Sequence, residues 1–440
     1  MSTVKQACEL VVDCPHSTPV WTNSGALVFR SANIRSGRLD LSTRSFTTEA
    51  HYQERVRRAV PTPGDLIITR EAPMGEVAII PPGVRGCLGQ RMVLLRPNPR
   101  VVDGRFMLYA LMSPRVQHEI SVHEGTGSTV SNLRIPALEA LQFPLPPLAE
   151  QRTIASTLGS LDDKIELNRR MNETLEAMAR ALFTSWFVDF APVRAKMEGR
   201  DSTVMDSEIA ALSPDSFEDS ELGSIPTGWR ARSLATAVEE GGGDIQTGPF
   251  GSQLHASDYR ESGTPVVMPT NISSRRINSF GIARIGPADI ERLQRHVLQT
   301  GDLVYSRRGD VEKHALVGRA EDGWLCGTGC LRIRPGVGLL PLFLSLYLDL
   351  PSIRNWIAAR AVGATMPNLN TQILGQVPLL EPPPSVQAYF CKTAGPLDLR
   401  MQANNAESVT LAALRDLLLP RLLSGELRIK DADKLAEAAL

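Results

Sequence analysis

From Ile154 onward the chain carries Leu158, Leu161, Ile165, Asn168, Asn172, Leu175, Ala179, Leu182 and Trp186 in alternating steps of four and three. That alternation lines one face of an α-helix and is the heptad seam of a coiled coil. The pattern returns 236 residues later at Phe390, Ala394, Leu397, Met401, Asn404, Ser408, Leu411, Arg415, Leu418 and Leu422. Proline is tolerated in the first turn of a helix but not inside one, so Gly159-Ser160 and Gly395-Pro396 predict that a new helix starts there, after a short preceding one. The stretch from Leu161 to Trp186 would extend roughly 40 Å at about 1.5 Å per residue. A helix with such a seam cannot bury it alone. The second copy supplies a partner within the same chain, most simply antiparallel. Asn168, Asn172 and Asn404 occupy seam positions where leucine would stabilise more, and a buried asparagine there fixes register at a cost in stability.

Outside the seams the pattern changes to short β-branched runs punctuated by Gly and Pro, which predict strands at residues 65–69, 77–80, 93–95 and 303–305. Helical patterns intervene near 106–121 and 342–359. These blocks are repeated as well. PGDLIITR at 63–70 matches TGDLVYSR at 300–307, GSTVSNL at 127–133 matches GATMPNL at 363–369, and VFRSANI at 28–34 matches VVMPTNI at 266–272. FPLPPLAEQ ending at Gln151 matches VPLLEPPPSVQ ending at Gln387. Landmarks at a nearly constant offset define a tandem duplication of a globular block followed by a helical block. The expected fold is α+β: two globular domains joined by a pair of long antiparallel coiled-coil helices. The boundaries read as 1–145 for the first domain, 146–193 for the first helical spacer, 194–224 for a linker, 225–380 for the second domain, 381–430 for the second spacer and 431–440 for a tail. The linker is acidic, Ser-rich and poor in large apolar residues, which predicts a mobile or loosely packed segment.

With 440 residues the chain can bury two or three cores. Its 42% hydrophobic and 22% charged residues fit a folded globular protein. The most apolar run, 338–350, is too short to cross a bilayer and is interrupted by Pro341 and Asp349. Nothing near Met1 resembles a signal peptide, so a cytoplasmic location without membrane contact is expected. The net charge of −1 conceals an uneven distribution, +4 over 1–145, −7 over 146–225, +3 over 226–380 and −1 over 381–440. The two basic blocks use arginine except at Lys5 and Lys313. Arginine forks onto phosphate or a guanine edge, although a GC-rich source would produce the same bias.

Catalytic signatures are missing. GTGSTV at 125–130 lacks the lysine of a nucleotide loop. No Gly-rich cofactor loop follows a strand. Cys326 and Cys330 have His314 upstream but no second pair to complete a zinc site, and a buried structural role is expected. Cys14-Pro15-His16 reads as a turn after a strand rather than a thiol–base pair. No catalytic or metal-binding residue is assigned. The chain is expected to bind and position.

The combination of a globular block, a GSTxxNL-like phrase, a PLPPLxEQ hinge and a long helix beginning LDDKIELN resembles the specificity subunit of type I restriction-modification enzymes. The resemblance spans nearly the whole chain and is carried by 145–187, by LLLPRLLSGELRI at 417–429 and by GPFGSQLHASDY at 248–259. It implies a non-catalytic chain with two target recognition domains, each reading one half of a split, asymmetric site in double-stranded DNA. It also implies helices that hold the domains apart and dock two methyltransferase subunits, with two motor-nuclease (restriction) subunits able to join. S-adenosylmethionine, ATP and magnesium would then belong to those partners, and no cofactor to this chain. On that reading the helices act as a ruler setting half-site spacing near one turn of DNA. Other readings are a catalytic chain with an unrecognised site, a helical adaptor, and a stand-alone DNA-binding protein without such partners. The first half starts almost at once with CELVVDCPHS and lacks the leader that precedes GPFGS, which leaves open how its first strand is completed.

Two domains reading different sequences should share residues used for folding or phosphate contact and differ where bases are read. The matched Arg70 and Arg307 are therefore expected at the DNA backbone. The loops that follow, EAPMGE at 71–76 and RGDVEK at 308–313, differ in charge and are the candidates for base discrimination, with Glu71, Arg308 and Lys313 prominent and Arg308 the expected guanine reader. Gln246, Thr247, Ser252, Arg275 and Arg276 are further candidates. Asn132 and Asn368 are expected to form a turn or a helix cap.

Overall fold

In the computed structural model the described residues are 1–122, 132–199, 207–363 and 367–439. The chain divides into two units, Met1–Arg169 with Asn405–Leu440, and Arg170–Asn404. Two continuous helices of 40 residues, Leu148–Phe187 and Pro384–Leu423, contribute one half to each unit. At about 1.5 Å per residue each is roughly 60 Å long. The expected break at Gly159-Ser160 and Gly395-Pro396 does not occur. A Cβ at position 159 would lie 2.6 Å from the Arg105 guanidinium carbon, and Arg105 donates to the Gly159 carbonyl at 3.0 Å, so this glycine is there for close approach. Pro396 lacks only one of the helix's N–H donors, and packing on either side carries the helix through it.

In the first unit a six-stranded sheet runs in the order Cys8–Asp13, Met92–Pro97, Leu66–Thr69, Val77–Ile79, Gly37–Leu39, Ile34–Arg35. All pairs are antiparallel except Gly37–Leu39 against Val77–Ile79. The predicted strands fall within one or two residues of these bounds. The predicted helix divides into Gly104–Met112 and Pro114–Ser121 because Pro114 opens a new one behind its cap Ser113. The first strand is completed by a short device: Ser2–Thr3 pairs with Gln142–Phe143, and Thr3 and Gln6 form a capping box over the turn Val4–Ala7. Leu66, Ile68, Val93 and Leu95 share a core with Phe106 and Tyr109, and with Ile154, Leu158, Leu161, Leu411, Leu418 and Leu422 from the long helices. The helical halves are thus part of the domain's own core. So is the supposed tail: Ile429–Glu437 is a helix whose Ala432 and Ala436 are buried there, with Asp433 accepting from Thr157.

The second unit repeats the plan with a four-stranded antiparallel sheet, Asp244–Thr247, Cys330–Arg334, Leu303–Ser306, His314–Leu316. Helices Pro341–Leu348 and Pro351–Arg360 cover it, again divided at a proline. Its core is aromatic: the Trp186 and Tyr389 rings stack at 6.0 Å, and Phe183, Phe187, Phe343 and Phe390 meet edge to face or tilted. The expected loose linker is largely folded where it is described. Ala191–Met197 and Ser207–Leu212 are helices, and Phe217–Ser220 forms a hairpin with Gly223–Pro226. Ile209, Ile225 and Trp229 supply the anchors that composition averaging hid.

The duplication extends to individual side chains. Asp65 pairs with Arg96 at 2.8 Å and Asp302 with Arg334 at 2.7 Å. Asn33 and Asn271 each bridge a turn by accepting from the backbone three residues earlier and donating seven residues ahead. Gln151 accepts from Asp103 N–H and donates to the Pro146 carbonyl, as Gln387 accepts from Leu340 N–H and donates to that of Pro382.

The seam positions form the helix contact within each unit. Leu161, Asn168, Leu411 and Leu418 are buried and Ile165 half-buried in the first. Met401 and Asn404 are buried, and Asn172, Leu175, Leu182 and Leu397 half-buried, in the second. Asn168 donates to Glu407 at 2.7 Å, and Asp162 meets Arg415 at 2.7 Å, which makes the pairing antiparallel. In the second unit Asn404 donates to Asn172 at 2.8 Å while Trp186 meets Tyr389, the same sense.

Candidate nucleic-acid interface

At one end of each main sheet the loops converge on a matched arginine. Arg70 N–H donates to the Arg91 carbonyl and its own carbonyl accepts from Leu133 N–H. Arg307 makes the same two backbone bonds, to Gly329 and from Leu369. Arg91 at φ 66° and Gly329 at φ 85° hold the same left-handed turn. The backbone is therefore common, and the side chains around it are not.

In the first domain Arg70 donates to Asp13 at 2.7 Å, to the Asn132 amide oxygen at 3.0 Å and to the Leu133 carbonyl at 2.9 Å. Asn132 in turn donates to Glu71 at 2.7 Å, and Glu71 meets Arg91 at 3.2 Å. Arg70, expected at the DNA backbone, is thus a clamp inside the fold. Asn132 is part of that clamp and not a cap. In the second domain the Arg307 guanidinium lies 5.7 Å from the centre of the half-exposed Phe250 ring, its Nε buried without a hydrogen-bond partner among the described residues. Arg308 is exposed and engages Asn368 only through a backbone bridge. The cap of the following helix is Asn370, two residues beyond the expected position.

Of the remaining candidates, Lys313 is exposed and paired with Asp310, and Ser252 is exposed in the Phe250 loop. Gln246 is held by Arg332 at 3.0 Å, and Thr247 is half-buried at the end of its strand. Arg275 and Arg276 are both engaged by acids of the helical segments. Arg275 is 4% exposed and forms two bonds to Glu176, at 3.0 and 2.9 Å, and one to Ser345 at 3.2 Å. Arg276 pairs with Asp398. Both secure the second domain to its helical segments, and their acids lie 99 and 122 residues away in sequence, too far for pattern reading to find. Burial alone pushes the Glu176 carboxyl up, but Arg275 and then Arg180 outweigh it and hold it below the usual glutamate range. Phe250 was missed because a Gly-flanked phenylalanine reads as turn-adjacent core. Its 51% exposure under Arg307 is visible only in three dimensions.

No catalytic constellation emerges among the described residues. They hold no group of three or more His, Cys, Asp or Glu able to bind a metal, and no helix among them is long and apolar enough to cross a membrane. Cys326 is buried, which pushes its thiol up to about 12, and Cys330 donates to the Val267 carbonyl. His314 is buried against Ser345, and desolvation followed by the nearby Arg275 pulls it down to about 3. Cys14 is buried while His16 faces Asp13 at 3.2 Å, so the two do not form a pair. The GTGSTV stretch lies outside the described residues.

One scaffold present twice, with conserved internal pairs and divergent loops at the same sheet end, defines a duplicated recognition protein. Residues 20–177 match the type I restriction modification DNA specificity domain. The chain is 25% identical over 377 residues to the Type I restriction enzyme HindI specificity subunit of Haemophilus influenzae, covering 77% of this chain and 80% of that one. It is 25% identical over 393 residues to the MjaIX specificity subunit of Methanocaldococcus jannaschii, with 87% and 82% covered. It is 22% identical over 421 residues to the EcoKI specificity subunit of Escherichia coli, with 91% and 82% covered. A crystal structure of a type I restriction-modification S subunit from M. genitalium aligns over 96% of this chain and 94% of that one, with 17% identity and a TM-score of 0.49. Over most of its length the chain is similar to type I restriction-modification specificity subunits, and its residues 20–177 match their DNA specificity domain.

Proposed function

We propose that this chain is the non-catalytic, sequence-specific DNA-binding subunit of a type I restriction-modification complex, each globular domain reading one half of a bipartite, asymmetric site. The observation that carries this reading is the contrast within the repeat. The Asp–Arg, Asn and Gln devices that build the scaffold are kept in both copies. The loops after Arg70 and Arg307 differ in charge at the same place. Two readers of unlike half-sites need that combination. Each domain packs on its own segments of the two long helices.

Their outer faces support a second part of the proposal, docking of two methyltransferase subunits. Leu167, Val409 and Leu417 are exposed on the helical segments of the first unit, and Met178 and Leu399 on those of the second. Apolar side chains in water on a helix already paired along its seam suit a further helical partner. S-adenosylmethionine would be bound by those subunits, and ATP and magnesium by restriction subunits where these join, in the cytoplasm. The test is co-expression with a methyltransferase subunit followed by mapping of methylated adenines. A split motif is expected, whereas methylation that is absent, or unchanged when this chain is omitted, would contradict the proposal.

A further inference from the structure

The matched loop ends differ in electrostatic balance. Asp13 and Thr247 are equivalent: Asp13 lies opposite Val93, which faces Ile68 two residues before Arg70, and Thr247 lies opposite Leu331, which faces Tyr305 two residues before Arg307. The circuit Asp13, Arg70, Asn132, Glu71, Arg91 therefore corresponds to Thr247, Arg307, Asn368, Arg308, Gly329. In the first domain two acids face two arginines and the guanidinium of Arg70 is fully engaged. In the second both acids are gone and an arginine stands in place of Glu71. The acids further along that loop are committed elsewhere, Asp310 to Lys313 and Glu312 to Arg354 at 3.9 Å. Two buried groups able to donate at this loop end, Arg307 Nε and Thr328 Oγ1, have no hydrogen-bond partner among the described residues, whereas Arg70 Nε is bonded and the unsatisfied atom at the matching point of the first domain is an acceptor, Asp13 Oδ1. Buried polar groups in folded proteins are nearly always satisfied, so unsatisfied donors beside two uncompensated guanidinium groups point to a ligand that supplies acceptors.

We propose that the second domain is the electrostatic anchor of the pair: Arg307 takes a DNA backbone phosphate at this loop end, beside the exposed face of Phe250, with Arg308 next to it left for the bases, and the first domain makes no phosphate contact at the matching point. The inference rests on the DNA-binding reading and adds to it an inequality between the two halves. An arginine with no ion pair among the described residues keeps its charge for a phosphate, while Arg70 is neutralised by Asp13 before DNA arrives. The domains then differ in the share of salt-dependent affinity each contributes.

The test uses the full chain in complex with its methyltransferase subunits and a duplex carrying the mapped site. Affinity is measured against salt concentration for the parent and for Arg307→Ala, Thr247→Asp and Asp13→Thr, with the melting temperature and methylated motif of each. Thr247→Asp gives the second domain the acid of the first, and serves should Arg307→Ala fail to fold. Each second-domain variant is expected to weaken binding about tenfold and to flatten the slope of log K against log salt by about 1, with the motif unchanged. Asp13→Thr is expected to lower the melting temperature without flattening the slope. An unchanged slope in the folded second-domain variants overturns the inference, as does a flattened slope in Asp13→Thr or a motif altered at a base. A parent complex with no sequence preference would defeat the underlying DNA-binding reading instead, and is distinguished by that control.

Discussion

The two domains grip their helical segments by different chemistry. In the first, mainly aliphatic side chains make the core, and the polar fastening is Tyr109 donating to Asp162 at 2.6 Å while Arg415 reaches the same carboxylate from the returning helix. In the second, the equivalents of Tyr109 and Arg415 are Ser345 and Ala179, and the domain itself supplies the cations, Arg275 to Glu176 and Arg276 to Asp398. The turn that presents them shows how the exchange is accommodated. Ser36-Gly37 and Ser274-Arg275 both lie at positive φ. A Cβ on Gly37 would meet Met112 Sδ at 2.8 Å, whereas Arg275 extends into the space beside Ser345. One backbone thus supports two solutions to the same fastening problem, and each should fail in its own way.

The largest expected effect is in the aromatic core. Phe390→Ala removes a ring in contact with Phe183, Trp186 and Phe187 and should destabilise the second unit by about 3–5 kcal/mol. Denaturant unfolding followed by tryptophan fluorescence checks it, because four of the five tryptophans, at 186, 229, 324 and 356, belong to that unit. Arg275→Met comes next, at about 3 kcal/mol, since it leaves Glu176 without its main partner in a largely dry setting. The double variant Arg275→Met with Glu176→Leu should recover most of that loss. Full additivity of the two changes would contradict the clamp.

A smaller effect comes from pH. His314 is held at about 3 in the fold, below the ordinary histidine value of about 6.5. The unfolded chain therefore binds the extra proton first, and stability of the second unit should decline as pH falls through about 6.5 and on towards 3, by at most about 1.4 kcal/mol per pH unit from this group. Glu176, whose carboxyl is lowered in the fold, adds a further loss once pH falls below the ordinary glutamate range. His314→Gln should flatten the first part of that profile, and an unchanged profile would contradict it. Smallest of all, Arg308→Ala should leave stability within about 0.5 kcal/mol, because the side chain is exposed and makes no side-chain bond among the described residues.

The duplication, the seam and the strand-rich character of both domains were legible because they are periodic or local. The helix break was misjudged: Gly159 looks like a stop, yet it is kept for the approach of Arg105 from 54 residues away. The arginines divide on the same principle. Arg70, Arg275 and Arg276 looked like surface residues because their acids are distant in sequence, while Arg308 did not change its meaning on folding. The segment 194–224 looked loose because its few apolar anchors are diluted by polar neighbours.

The central claim, that each domain reads its own half of a split site, is tested most directly by mapping methylated adenines for the chain co-expressed with its methyltransferase partner, as the parent and as Arg308→Ala. The account predicts a bipartite motif in which the variant relaxes positions in one half and leaves the other intact. An undivided motif, or relaxation in both halves at once, would contradict it.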